Sequence, residues 1–300
     1  MLSALFMSLS CPYCFTHQSC TSDSHCIVRS GRFWRKSDGK WIQRFLCLLC
    51  KKGFSSSTHH PCYWQNKRHK NLIIKKLLSG GMSQREIARV LGINRKTVVR
   101  KLLFWERMIK AKFDCLKSRY LEVEFDDLET FEHTKCKPLS VTLMVQAKTR
   151  LILGFEVSQM PSKGKLAAIS RKKYGFRKDE RAQGRRSLFL KLQNRIHPRA
   201  LIRSDSNPHY VEDIKRYFPL ATHETVKGQR GRSDAQGELK KVMWDPLFSL
   251  NHTCAMLRAN INRLFRKTWC TTKRADRLKA HLFLYADKHN QRILEQITQK

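Results

Sequence analysis

The chain has 300 residues, with 60 Lys or Arg against 24 Asp or Glu, and a formal charge of +36 at pH 7. This length suggests two or three domains, and so large an excess of cations repels itself unless a polyanion offsets it. DNA or RNA fits best, because every neutralised phosphate releases counterions; an anionic membrane fits worse, because the basic residues are spread along the chain and no long amphipathic basic helix stands out.

Of the eleven cysteines, seven precede Tyr63. An odd number without a secretory signal argues against a disulfide framework and for reduced thiols in a cytoplasmic protein. Residues 1–10 are apolar but short and lack a basic start, so no signal peptide is read there, and no run is long enough to span a bilayer.

Residues 10–57 carry two CxxC pairs, Cys11-Pro-Tyr-Cys14 and Cys47-Leu-Leu-Cys50. Four thiolates in two such knuckles suit a tetrahedral zinc ion. Between them, residues 27–31 and 41–46 read as strands joined by a turn at Ser37-Asp38-Gly39-Lys40. Knuckle, hairpin, knuckle is a zinc ribbon, with Phe45 and Phe54 expected beside the ion. Cys20, Cys26, His59, His60 and Cys62 could replace a ligand or bind a second ion, but are read as bystanders, since four ligands close a structural site.

Residues 67–107 carry helical periodicity. Leu72, Ile73, Lys76, Leu77 and Leu78 form the first helix, which Gly80-Gly81 ends. Ser83 with Glu86 is a capping box for the second, whose buried face is Ile87, Ala88 and Leu91. After a tight turn at Gly92-Ile93-Asn94, a third helix begins at Arg95 with Val98, Val99 and Leu102 inward. The pattern is a helix-turn-helix. Its third helix would enter a major groove and offer Arg95, Lys96, Thr97 and Arg100 to double-stranded DNA.

The remainder, 118–300, changes texture. Residues 120–126 alternate and end in acids, like a strand with a carboxylate at its tip. Residues 139–147 and 151–158 read as two further strands around a Lys148-Thr149-Arg150 turn. The Lys/Arg/Gly-rich stretch 161–184 reads as mobile or DNA-facing. Then come a helix at 187–193, a strand at 200–205, a helix at 209–216, a strand at 221–226 and a glycine-rich basic loop at 228–237. A long helix at 246–265 would turn Leu247, Leu250, Leu257, Ile261 and Leu264 inward, and 277–290 reads as a closing helix.

Three strands, a strand ending in Asp205 and a terminal helix follow the order of an RNase H-like α/β domain with a mixed sheet. Carboxylates on adjacent central strands, Asp126 and Asp205 here, can hold two divalent ions roughly 3.5–4 Å apart for phosphoryl transfer.

With these motifs in place, the chain resembles the bacterial DDE-type insertion-sequence transposases, particularly that of the smallest enteric element, which joins a zinc ribbon and a helix-turn-helix to a short catalytic domain. The resemblance rests on Cys11-Pro-x-Cys14, Arg44-Phe-x-Cys-x-x-Cys50-Lys, the helical pattern at 83–99, Glu124-Phe-Asp126, Asp205, and the run from Leu257-Arg258 through Arg263, Arg266 and Lys267 to Lys273. It covers residues 10 to 290. It implies binding of terminal inverted repeats and target DNA, nicking and strand transfer with Mg2+ or Mn2+, and pairing of two ends by a homodimer. Arg258, Arg263, Arg266, Lys267 and Lys273 would lie on one DNA-facing surface.

One position departs from the family pattern. The third acid should sit before the Leu-Arg run, where this chain has Asn251, which can ligate magnesium through its amide oxygen but adds no charge. Glu238, which lies 33 residues past Asp205, and Asp245 are the alternatives. His252 is either a phosphate ligand or a packing residue, and Trp244 and Trp269 read as core or platform residues. The rival reading is a DNA-binding regulator that has lost its chemistry; an RNA-directed ribonuclease has no use for a helix-turn-helix.

Overall fold

The computed structural model describes residues 10–14, 26–226, 245–265 and 270–299. The chain divides into two compact units, residues 1–73 and 74–300. In the first, β1 (Ile27–Arg35), β2 (Lys40–Cys47) and β3 (Gly53–Ser55) form an antiparallel sheet in that order. β1 runs on past Gly31, where the sequence suggested an end. The glycine, at φ 74°, sits in a bulge between Arg29 and Arg32, and pairing then resumes to Arg35–Lys40. The Arg35 guanidinium grips Asp38 with two 2.6 Å bonds across the turn.

The second unit holds helices α1 (Asn71–Ser79, whose last six residues it contains), α2 (Gln84–Val90) and α3 (Arg95–Asp114). The Ser83 hydroxyl accepts the Glu86 N–H, and the Asn94 side chain caps α3 by accepting the Lys96 N–H at 2.8 Å. Between the helices Gly92 adopts φ 58°, a conformation that favours glycine. α1 buries Ile74 and Leu78, whereas Leu72 and Ile73, read as part of its apolar face, are exposed.

The sheet of this unit has the order β6-β5-β4-β7-β8. β4 (Tyr120–Phe131), β5 (Pro138–Gln146) and β6 (Ile152–Gln159) form an antiparallel meander; β7 (Ile196–Asp205) lies parallel to β4, and β8 (Thr222–Val226) parallel to β7. Parallel neighbours need crossovers. α4 (Leu166–Tyr174) and α5 (Arg181–Leu192) supply one, and α6 (Pro208–Tyr217) the other. The stretch 161–184, for which the sequence suggested no element, holds α4 and the start of α5. The helix is held there by tertiary contact, since Gly184 lies on Ser158 of β6 with no room for a Cβ, and Arg185 is buried.

Alternating residues of the sheet face two cores. Val123, Phe125, Met144 and Ile202 pack with α5 and α6, together with Tyr210 and Phe189. Leu128, Val141, Leu143 and Phe155 pack with α7 (Phe248–Asn260), α8 (Ala275–Thr298) and the three leading helices. The single helix expected over 246–265 is broken: the chain leaves the helix at Ile261 (φ −106°, ψ 104°) and makes one 3-10 turn over Asn262–Leu264. Leu247, Leu250, Leu257, Ile261 and Leu264 are nonetheless all buried, because the turn brings Leu264 back to the core. The closing helix is longer at both ends than the 277–290 expected. Among the described residues no helix is long and apolar enough to cross a membrane.

Asp287 of α8 staples this core. It is 2% exposed and accepts Lys75 Nζ of α1 at 2.6 Å and Lys112 Nζ of α3 at 2.9 Å. Burial alone would raise its pKa, but the two ammonium groups outweigh it and hold the carboxyl below its ordinary value. A depressed carboxylate pKa contributes stability above the unfolded value, near 4, that is lost as pH falls through the folded one. Both lysines are partly exposed and can rehydrate, so Asp287→Asn should cost about 1–3 kcal/mol at pH 7. Denaturant melts at pH 7 and pH 3 should show that difference shrinking in acid; an unchanged gap would refute the role.

Candidate functional site

Two constellations come together. In the first unit the sulfurs of Cys11, Cys14, Cys47 and Cys50 all lie within 4.8 Å of one another. Cys11 and Cys50 are 3.6 Å apart, and Cys14 and Cys47 are 3.9 Å apart. A tetrahedral ion with Zn–S bonds of about 2.3 Å needs edges near 3.8 Å, so the four fit a metal such as zinc. The Cys47 thiol is lowered to about 6, first by the Cys50 backbone N–H, with the Leu49 N–H adding to it. Cys14 is pushed the other way, first by its hydrogen bond with the Cys50 thiol. Phe45 and Phe54, 5.5 Å apart, pack against the cluster as expected. His59 is bonded to the Ser10 carbonyl, His60 accepts the Cys62 N–H, and the Cys62 sulfur accepts from Asn71, so these three have other partners. Cys20 lies outside the described residues.

In the second unit the parallel register pairs Val123 with Ile202, Glu124 with Arg203 and Phe125 with Ser204. The next pair in line is Asp126 beside Asp205. β7 ends at Asp205, whereas β4 continues to Phe131, paired only with β5; Asp126 is therefore mid-strand, not at the tip expected. Asp126 Oδ1 accepts the Asp127 N–H at 2.6 Å and the Tyr210 hydroxyl at 3.1 Å. Asp205 Oδ1 accepts the Asn207 N–H at 3.1 Å, and Asn207 in turn caps α6, whose first residue is Pro208. Burial, and then the charge of Asp205, raise the Asp126 carboxyl to about 6 against the opposing hydrogen bonds. Among the described residues no Lys or Arg forms an ion pair with either carboxylate, in a chain with 60 cations. A divalent cation would relieve that repulsion, and hard oxygen donors suit Mg2+ or Mn2+.

Three residues around this pair went unassigned from sequence. Tyr210 is 1% exposed, and burial with the surrounding carboxylates keeps it protonated, as a donor to Asp126. Behind it the buried Arg185 guanidinium bonds Asp213 at 2.5 Å, lies 3.6 Å from Asp127 and sits over the Tyr210 ring. Glu124, 3% exposed, accepts the Leu250 N–H at 2.8 Å and so fixes the first turn of α7 against β4. The Asn207-Pro208 capping signal could have located α6 and hence Tyr210; nothing local marks Arg185.

α7 passes Asp126 closely enough for that carboxylate to help burial raise the Cys254 thiol to about 12. Asn251 lies one turn earlier on the same helix face. It is exposed, and its amide N donates to Asp245 Oδ2 at 2.9 Å. Glu238 lies outside the described residues, as do Arg266, Lys267, Trp244 and Trp269. His252 is half-buried, packs on Phe248 and lies 3.3 Å from the Arg150 guanidinium.

Of the residues expected on DNA, Arg95, Lys96 and Arg100 are exposed and Thr97 is half-buried at the start of α3. Arg258 and Arg263 are half-buried, and Lys273 is exposed. Arg95, Arg263 and Lys273 line one cavity together. Compared with known proteins, the chain matches no family model and no curated protein.

Metal analysis of the purified chain should give one zinc per molecule, and cobalt exchange should give thiolate charge-transfer absorption. Cys47→Ser should abolish both, and retention of stoichiometric metal would exclude the four-cysteine site. For Asp126, the raised folded pKa means that the folded state binds a proton more tightly than the unfolded state between about 4 and about 6. Stability therefore falls as pH rises through that window. Without added divalent ion, Asp126→Asn should stabilise the chain by about 1–3 kcal/mol at pH 7.5 and give no gain at pH 3.5, read from thermal melts.

Proposed function

We propose that the chain is a DDE-type transposase, a metal-dependent DNA strand-transfer enzyme that binds the inverted repeats of an insertion sequence. One observation carries this reading: a half-buried carboxylate pair, Asp126 and Asp205, on adjacent parallel strands of a strongly cationic protein, with no ion pair to a cation among the described residues. The element order supports an RNase H-like domain, because three antiparallel strands, a parallel strand ending in Asp205 and closing helices follow one another. The caps and turn of α2 and α3 support a helix-turn-helix, and the four-cysteine cluster with its hairpin supports a zinc ribbon.

In this reading the protein's own groups act as follows. Asp126 and Asp205 supply oxygen ligands, and bound divalent ions would activate the attacking oxygen and stabilise the leaving one. Tyr210 and the Asp127 N–H hold the Asp126 carboxylate in one rotamer. Asn207 holds Asp205. Glu124 seats α7 so that Asn251, or Asp245 beside it, can complete the ligand set. The basic α3 face binds duplex DNA and brings the strand to the carboxylates.

The amide at position 251 also gives weight to a second reading, a DNA-binding regulator without catalysis. A strand-transfer assay on duplexes carrying the element's terminal repeats separates the two. With Mg2+ the wild-type chain should join ends. Asp126→Ala and Asp205→Ala should each lose about 100-fold or more in rate while duplex affinity stays within about twofold. Joining that survives Asp126→Ala would sink the enzyme reading, and duplex binding with no cleavage under any divalent ion would establish the regulator. Asn251→Glu, Asp245→Asn and Glu238→Ala then identify the third ligand by which of them changes the rate.

A further inference from the structure

A cavity of about 400 Å3 opens within the 74–300 unit, between the α1–α2 turn and α2 on one side and the Asn260–Arg263 turn and α8 on the other. Four cations converge on it: Arg85 of α2, Arg95 at the start of α3, Arg263 and Lys273. Among the described residues no Asp or Glu lines it, and Arg85, Arg95 and Lys273 form no ion pair. Arg263 is half-buried, and its one hydrogen bond among the described residues reaches the Thr271 carbonyl at 3.5 Å. Burial, with Arg85 and Arg95 close by, works against its charge, yet a guanidinium cannot shed its proton. His281, bonded to Gln84 at 3.4 Å, is held neutral by its burial and lends no counter-charge.

Such a cluster lacks an anion. Guanidinium groups match phosphate oxygens in geometry as well as charge. Leu78, Ile261 and Tyr285 give the same cavity an apolar wall, and its volume falls in the range of small-ligand sites, roughly 300–1,000 Å3. Inorganic phosphate would leave that wall unused. We propose that this cleft binds one nucleotide, its phosphate held by Arg85, Arg95, Arg263 and Lys273 and its sugar and base against the apolar wall. The site is separate from Asp126 and Asp205 and does not depend on strand-transfer chemistry. The nucleotide comes either free or as one unit of a single DNA strand.

Calorimetric titration of the full chain with deoxyadenosine 5′-monophosphate, and separately with a short single-stranded oligodeoxynucleotide, tests this. At least one probe should bind, and deoxyadenosine without phosphate should bind about tenfold more weakly than the monophosphate or not at all. Arg263→Ala, and the exposed pair Arg85→Ala with Lys273→Ala, should each weaken binding about tenfold or more. Lys172→Ala with Lys173→Ala on α4 removes the same charge as the exposed pair and should leave affinity within about twofold. Binding of the monophosphate identifies a free nucleotide, and binding of the oligonucleotide alone identifies a strand. The proposal is overturned if neither probe binds, if the nucleoside binds as tightly as the nucleotide, or if the exposed pair at wild-type melting temperature loses no more affinity than the α4 pair.

Discussion

The parallel pairing of β4 with β7 is the constraint on which the rest of the 74–300 unit turns. It forces a crossover between β6 and β7, which α4 and α5 fill, and it sets Asp126 and Asp205 side by side at the end of β7. Folding alone would not choose that outcome. Two carboxylates in a half-buried site repel each other, and the bonds from Asp127, Tyr210 and Asn207 offset only part of the cost, since the Asp126 carboxyl still rises to about 6. Perturbed groups of this kind cluster at functional sites because their cost is recovered when a ligand arrives.

The use of the other acids sharpens the contrast. With 24 carboxylates against 60 cations, several acids serve as staples that bridge two cations from different elements. Asp287 joins Lys75 to Lys112, Glu122 joins Lys148 to Arg203, and Glu156 of β6 joins Lys191 of α5 to Lys279 of α8. The Asp287 bridge ties three helices together, and the other two draw a turn or helices onto the sheet. Among the described residues Asp126 and Asp205 take no part in this scheme, and the charged neighbours that act on Asp126 are the acids Asp205 and Asp127. The cleft of Arg85, Arg95, Arg263 and Lys273 is the complement: cations without acids among the described residues. Both sites are charge clusters of one sign, and each calls for a ligand of the other.

Much of this was readable from local chemistry. The two CxxC spacings located the cysteine cluster; Ser83 and Asn94 set the starts of α2 and α3; alternation gave β5 and β6 to within a residue or two. What escaped depends on partners distant in sequence. α4 and the start of α5 have a Lys/Arg/Gly-rich composition with no clear helical signal, and α5 is seated by Gly184 on Ser158 and by the burial of Arg185 beside Asp127 and Asp213. β4 outlasts its acidic stretch because β5 goes on pairing with it. The break after Asn260 leaves apolar periodicity intact, so periodicity could not reveal it. Nor could sequence show that α1, α2 and α3 share one core with the sheet.

Glu124 bears on the unsettled third ligand. Its carboxylate is almost wholly enclosed and accepts the Leu250 N–H, which leaves α7 one orientation against β4. Cys254 then feels the charge of Asp126, so the helix face toward that carboxylate is the one that carries Asn251 a turn earlier. The Asn251 amide nitrogen is engaged by Asp245, and an amide whose NH2 is held on one side presents its oxygen on the other. Asp245 thus has two possible contributions under the proposed reading: it can orient a neutral oxygen ligand, or it can supply the missing charge itself. In the first case removing its charge disturbs geometry and leaves the ligand count unchanged; in the second it removes a ligand. The distinction is one of metal affinity, read against a structural role as well, because Glu124 is the buried anchor of α7 while Asp245 Oδ1 accepts the Leu247 N–H at 2.9 Å at the start of the helix.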